Sequence, residues 1–192
     1  MAPARKITRD RPGRRGLRIA VRVIVPVVFA LGMWYLFTHV LRFGDVPSGS
    51  MEPTLQPDDW YILRLDAYHR HRPQHGDIIV FTDADGEPYV KRVIAVPGDH
   101  FAIIDGVVWL NRRPLNEPYI KERQLPERPI GADVPADSYF VLGDNRNESA
   151  DSRDMGFVQA ARIMGKATRI VWPLSRARAL ALPPAPALPA TG

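Results

Sequence analysis

The chain has 192 residues, enough for one domain and an appendage, and its 19 prolines and 14 glycines promise many turns. It has no cysteine, which excludes disulfides and thiolate metal sites. The net charge of +5 invites a nucleic-acid reading, but the charge is unevenly placed. Arg5, Lys6, Arg9, Arg11, Arg14, Arg15, Arg18 and Arg22 all precede the most apolar stretch, opposed only by Asp10. Beside a membrane span, such a block is an orientation signal rather than a nucleic-acid patch.

That stretch, Val23 to Leu41, holds no Asp, Glu, Lys or Arg. As a helix at about 1.5 Å per residue it reaches roughly 28 Å, close to the hydrocarbon thickness of a bilayer. Its length and the poor small-x-small pattern of "THVLRFGDV" favour an uncleaved anchor over a cleaved signal segment or a soluble core helix. Residues 1–22 are then a basic cytoplasmic tail, 23–41 a single-pass transmembrane anchor, and 42–175 an external domain.

The external part opens with "PSGSMEPTL" (Pro47–Leu55), where Ser48 and Ser50 flank a glycine in a Gly/Pro-punctuated turn. Short apolar runs follow at Trp60–Leu65, Asp77–Phe81, Tyr89–Val96, His100–Leu110 and Ser138–Asp144, with another at Ala167–Leu174. They are rich in Val, Ile, Tyr, Phe and Trp, and predict strands. "DADGEP" and "IDGV" carry Asp-Gly hairpin signals, and "VPGD" marks a further turn. Residues 111–137, rich in proline and charge, predict a loop-rich insertion, and 176–192 a disordered Pro/Ala tail. The fold expected is a mostly β domain behind one membrane helix.

A serine nucleophile needs a base within hydrogen-bond reach. Among the five histidines, His39 lies in the apolar run, His69, His71 and His75 in a basic loop, and His100 after a turn, leaving His100 a weak candidate. Of the four lysines, Lys6 precedes the span, Lys121 sits in the charged insertion and Lys166 near the end. Lys91 lies within an apolar strand, where alternation puts Tyr89, Lys91, Val93 and Ala95 on one face. Two readings stand: an edge-strand lysine that discourages aggregation, which the pattern alone favours, or a desolvated amine able to act as a base.

The boxes "PSGSMEPTL", "GDIIVF", "YVKRVIAVPGD" and "GDNRNESADSRDMGFV", in that order behind an N-terminal anchor, resemble those of bacterial type I signal peptidases, proteases with a Ser-Lys dyad. The resemblance covers about Leu17 to Pro173 and decides Lys91 in favour of the base. It implies a catalytic domain of coiled antiparallel β-sheets, Ser50 as nucleophile and Lys91 as general base. It further implies Ser48 as the hydroxyl that joins the Ser50 N–H in an oxyanion hole, and Ser149 as the serine that orients the lysine. Asp144, Arg146, Asp151, Arg153 and Arg92 match residues that support the site. The chain departs at Asn147-Glu148, where the family often has Asp-Asn.

Cleavage of signal peptides from secretory preproteins after Ala-x-Ala sites follows as the expected activity. No cofactor, metal or nucleic acid is expected; the lipid bilayer is a partner, and a secretion translocon is expected nearby. The location expected is the bacterial cytoplasmic membrane, with the catalytic domain outside. Two rivals are a self-cleaving repressor-type Ser-Lys protease, opposed by the anchor, and a tethered β-domain that binds without catalysis. "HRHRPQH" fits no zinc pattern well, and "DADGE" fails the later positions of a calcium loop. The terminal "LPATG" resembles a sortase signal but lacks a following apolar run.

Overall fold

A computed structural model describes residues 13–125 and 128–180. The chain divides into two units, the first ending at His39 and the second starting at Val40.

The first unit is helical. Helix α1 runs from Gly13 to Tyr35, and a π-helical turn follows over Leu36–Val40. The helix starts well before the apolar run, because arginine is a good helix former and charge sets where a span begins rather than where a helix begins. Val21–Val40 is long and apolar enough to cross a membrane, and none of its residues is buried.

The second unit is built on two antiparallel sheets. Its first strand, β1 (Leu41–Asp45), lacks a distinct sequence signal and overlaps the end of the apolar run. Strands β2 (Trp60–Arg64), β3 (Ile78–Thr82), β4 (Pro88–Ala95), β5 (His100–Ile104) and β6 (Val107–Leu110) fall within a residue or two of the expected runs. Short β7 (Arg113–Pro114) and β8 (Ile130–Asp133) lie in the expected insertion and precede β9 (Ser138–Leu142). A one-turn helix α2 (Ser152–Met155), β10 (Val158–Gln159), β11 (Ile163–Trp172) and β12 (Arg178–Ala179) follow within the described residues. The larger sheet has the order β1-β2-β11-β3-β4-β9-β10, with β12 on β11; the smaller is β7-β6-β5-β8.

The continuous apolar runs reflect strands covered on both faces. In β3, Ile78 and Val80 face a core with Met51, Leu55 and Leu63, while Ile79 and Phe81 face another with Val93, Tyr139 and Val141. A third core joins the sheets, with Phe101 stacked on Phe140 at 3.8 Å between centroids.

The expected face of β4 is corrected at one position. Tyr89 and Val93 share a core, but a bulge between Val93 and Ala95 turns Ala95 into the core that joins the sheets. One inserted residue reverses the facing of all that follow. The ordered unit also extends past the expected boundary at 175. Arg176 forms an ion pair with the buried Asp59, and β12 pairs with β11. Residues 181–192, including "LPATG", lie outside the described residues.

The Asp105-Gly106 turn between β5 and β6 has φ of 50° and 72°, the left-handed pair that an Asp-Gly hairpin supplies. A Cβ on Gly106 would lie 2.1 Å from the Gln124 carbonyl oxygen, so this turn also seats the long 111–137 segment. Gly106→Ala is therefore expected to destabilise by about 1–3 kcal/mol, through both φ and crowding. A urea midpoint unchanged from wild type would refute that role.

Candidate active site

Ser50 stands in a single 3-10 turn, Gly49–Met51, entered by Ser48 in extended conformation. Met51 and Leu55 are buried beneath it and anchor the turn to the core. Its outer side is clamped by Asn145, whose backbone N–H donates to the Ser50 carbonyl at 3.1 Å and whose Nδ2 donates to the Gly49 carbonyl at 3.1 Å. The small-residue turn and the last sequence box thus form one structure.

Lys91 reaches the turn from β4. Its Nζ donates to Ser50 Oγ at 2.8 Å, and the residue is only 3% exposed. On β3 it faces Ile79, which is fully buried, and its amine lies 5.6 Å from the Tyr89 ring centroid. Burial pulls its pKa from 10.5 to about 8, against the pull of the Asp151 and Asp144 carboxylates in the other direction. The Arg153 guanidinium adds a smaller push downward. Ser48 Oγ lies 3.4 Å from Ser50 Oγ.

Both carboxylates are engaged elsewhere. Asp144 receives a two-pronged bond from Arg92, Nε to Oδ1 at 2.8 Å and Nη2 to Oδ2 at 2.6 Å. Thr54 Oγ1 donates to Asp144 as well, at 2.5 Å. Arg92 also donates to the Gly76 carbonyl, and its guanidinium carbon lies 4.0 Å from the Tyr119 ring centroid. Asp151 accepts from Arg153 Nε at 2.8 Å and Nη2 at 3.0 Å. Asp151 also accepts from the Gly143 N–H and caps α2. Arg146, buried, forms a two-pronged pair with Glu117.

Thus Ser48, Ser50, Lys91, Arg92, Asp144, Arg146, Asp151 and Arg153 fall into three hydrogen-bonded groups, Ser48–Ser50–Lys91, Arg92–Asp144 and Arg146–Arg153–Asp151. Ser149 departs from its expected contact. Its buried hydroxyl has no hydrogen-bond partner and makes no bond to Lys91. It is packed where Gly143 lacks a side chain: a Cβ there would lie 2.2 Å from Ser149 Oγ and 2.5 Å from the Ser50 carbonyl oxygen. His100 makes its side-chain bond to Asp133 in the smaller sheet and none to the serine.

Sequence reasoning missed Thr54, Glu117, Tyr119 and Lys121. Three of these lie in the segment read as an insertion, where Tyr119 donates to Glu117 at 3.0 Å and Lys121 pairs with Glu52 beside the turn. Nothing in "NEPYIKE" distinguishes these residues from a solvated loop. Among the described residues, no group of three His, Cys, Asp or Glu could hold a metal.

A groove of about 450 Å³ runs past the pair, with Pro47, Ser48 and Met51 on one wall and Pro88, Val90 and Lys91 on the other. It follows a free edge: β9 pairs with β4 only over Arg92–Ala95, leaving Pro88–Lys91 unpaired on that side.

Because folding depresses the lysine pKa, the amine opposes folding when charged. Stability gained from its neutral form is complete above about 10.5 and lost as pH falls through about 8. Lys91→Met should therefore raise Tm by several degrees at pH 6.5, with the advantage vanishing by pH 10.5. A lower Tm than wild type at pH 6.5 would contradict the desolvation account.

Residues 17–172 match the family described as "Signal peptidase, peptidase S26". The chain is 38% identical to signal peptidase I of Leptolyngbya laminosa over 185 residues, covering 91% of this chain and 87% of that protein. It is 35% identical to signal peptidase I of Bacillus caldolyticus over 176 residues, covering 85% and 94%. A crystal structure of a signal peptidase I from Enterococcus faecalis V583 aligns with a TM-score of 0.45 at 32% identity, covering 50% of this chain and 97% of that one. With nearly its whole folded length matched, the chain belongs to the signal peptidase family, peptidase S26.

Proposed function

We propose that the protein is a membrane-bound serine endopeptidase that removes signal peptides from secretory preproteins with a Ser50–Lys91 dyad. The observation that carries this reading is a buried amine 2.8 Å from a serine hydroxyl on a tight turn. Neutral Lys91 accepts the Ser50 proton as Oγ attacks the scissile carbonyl. The oxyanion is held by the Ser50 N–H with the Ser48 hydroxyl. As the tetrahedral species collapses, the C–N bond breaks and the Lys91 ammonium returns the proton to the leaving amine. Water, deprotonated by Lys91, then attacks the acyl ester; its C–O bond breaks and the Lys91 ammonium returns the proton to Ser50 Oγ. Arg92, Asp144, Arg146, Asp151 and Arg153 position the turn and the strand; Ser149 is held beside Gly143 and the Ser50 carbonyl as part of the same support.

The free edge of β4 suits an extended peptide that adds as a strand, with side chains alternating into the narrow groove. Small residues at −1 and −3 bring the scissile carbonyl closest to Ser50. The substrate's own apolar segment holds it at the bilayer, and Ser50 lies ten residues beyond Val40, at most about 35 Å of extended chain. Trp60 and Trp172, cross-strand partners, are exposed along with Phe43 and Leu174, as suits a surface lying against lipid headgroups. The basic N-terminal block puts the N-terminus in the cytoplasm and the catalytic unit outside, near the secretion translocon. No cofactor enters the mechanism.

For wild type, kcat/KM on a preprotein should rise with pH through about 8 and fall on acidification, because charged Lys91 cannot accept a proton. Ser50→Ala and Lys91→Ala should each abolish cleavage, the double variant being no worse than either, and Lys91→Arg should stay inactive. Near wild-type cleavage by Lys91→Arg at neutral pH would remove the lysine from this role. Retained cleavage by Ser50→Ala would favour a binding module or another nucleophile.

Phe in place of Ala at −1 should lower kcat/KM by about 100-fold or more, since a bulky side chain lifts the carbonyl out of the oxyanion hole. Equal rates for the two peptides, with the product N-terminus sequenced, would refute the small-pocket model.

A further inference from the structure

A second cavity, of about 330 Å³, adjoins the dyad groove and shares Tyr89 and Ala150 with it. Its apolar walls are already built. Phe81 and Tyr89 stack at 5.9 Å with 22° between planes. Phe157 packs edge-on against Phe101 and Phe140, at 6.1 Å from each, and Val158 is buried in the same core as Phe81. Groove and cavity draw on opposite faces of β4. Val90 packs against the core that holds Met51 and Val46, both in the groove wall. Tyr89 packs against the core that holds Phe81 and Val158, both in the cavity wall. The cavity is also placed along the strand: Phe81 and Thr82, which line it, are the cross-strand partners of Tyr89 and Pro88.

We propose that this cavity takes a large apolar side chain at −2 or −4 of the substrate, so that the residues alternating with the small ones also contribute to substrate choice. The inference rests on the reading above, in which an extended substrate adds along the free edge Pro88–Lys91 with −1 and −3 in the groove. An added strand advances one residue for each residue of its neighbour. With the cut at Ser50, bonded to Lys91, positions −1 to −4 therefore run along the edge from Lys91 to Pro88. Successive side chains of a strand point to opposite faces, and paired strands share those faces. With −1 and −3 turned toward Val90 and Met51, −2 and −4 are turned toward Tyr89, the side on which the cavity lies. The two positions flank the level of Tyr89, and −4 comes opposite Pro88, whose partner Thr82 lines the cavity. The rule for the upstream half is then one of alternation: small side chains at the odd positions, a large apolar one favoured at an even position.

The test uses the full-length protein in detergent micelles and peptides with Ala at −1 and −3, carrying Ser, Leu or Phe at −2 or −4. Binding is read by fluorescence anisotropy on the Ser50→Ala protein, so no turnover is required. Leu or Phe at one of the two positions should bind about tenfold tighter than Ser. The same side chains moved to −3 should weaken binding, which separates a facing effect from general apolarity. Ala84→Trp, which fills the cavity from the exposed β3–β4 turn, should erase the preference and leave the affinity of the Ser peptide unchanged. Met155→Trp, another lining position, should act alike, with circular dichroism confirming both folds. In enzyme with Ser50 intact, kcat/KM should follow the same order. Equal affinity for Ser, Leu and Phe at both −2 and −4, or a preference that survives both filled variants, overturns the subsite. Failure of every peptide to bind would count against the substrate reading itself and take the subsite with it. Cleavage by Ser50→Ala would instead count against the serine nucleophile, and the affinity comparison would still decide the subsite.

Discussion

A lysine amine buried beside a serine hydroxyl is a constraint that most of this molecule is organised to meet. Burial alone lowers the pKa of Lys91, but the site also holds two buried carboxylates, Asp144 and Asp151, that favour the charged amine. The structure resolves the conflict by giving each carboxylate its own guanidinium. Arg92 closes on Asp144 and Arg153 on Asp151, both in two-pronged geometry, so each negative charge is largely cancelled where it sits. Desolvation remains the largest influence on the amine. The two arginine–carboxylate pairs therefore do electrostatic as well as structural work, and removing one partner of either would leave a buried charge uncompensated.

The same networks set the position of the turn. Asn145 holds the carbonyls of Gly49 and Ser50, and its neighbour Asp144 is tied to Arg92 on the lysine strand. Serine turn and lysine strand are thus linked through a third segment rather than only by their own 2.8 Å contact. Gly143 marks how tightly these parts meet. Its backbone passes so near the Ser50 carbonyl and Ser149 that any side chain would displace them, which is a reason of space rather than of φ. The 111–137 segment closes the assembly from outside, placing Glu117 on Arg146 and the Tyr119 ring over Arg92.

How much of this was legible in the sequence follows from the kind of information each part carries. Strands β2 to β6 and β9 announce themselves because burial on one or both faces demands β-branched and aromatic residues in a row. Strand β11 begins four residues earlier than its sequence signal, since Met164, Gly165 and Lys166 do not alternate and the strand is bulged at several points. The bulge in β4 is silent in the sequence for a similar reason: Val93, Ile94 and Ala95 are apolar whichever way they face. The serine, lysine and arginine–carboxylate residues were found through four boxes in order, not through periodicity, which on its own favoured an edge-strand lysine. Glu117 and Tyr119 were not found, because a charged residue that pairs across 29 positions looks locally like any solvated one. The bond from Ser149 to the lysine, implied by resemblance alone, is absent from the side-chain arrangement seen here.

That the proposed base is a lysine rather than a histidine is intelligible from what surrounds the two residue types. A histidine base works with a carboxylate that orients its ring and stabilises its cation. The chain contains such pairs, His75 with Asp99 at 2.6 Å and His100 with Asp133 at 2.8 Å, but neither ring bonds to the serine, and both are substantially exposed. An exposed imidazole pair belongs to a rim. A lysine requires the opposite environment, namely burial and no uncompensated carboxylate within reach, so that the neutral amine is populated near pH 8. Its four-carbon stem also lets the amine cross from the face of β4 to a turn on a different part of the chain, while the stem packs among apolar side chains. Asp144 and Asp151, already committed to Arg92 and Arg153, are not available to orient an imidazole at this site, whereas the amine needs no such partner.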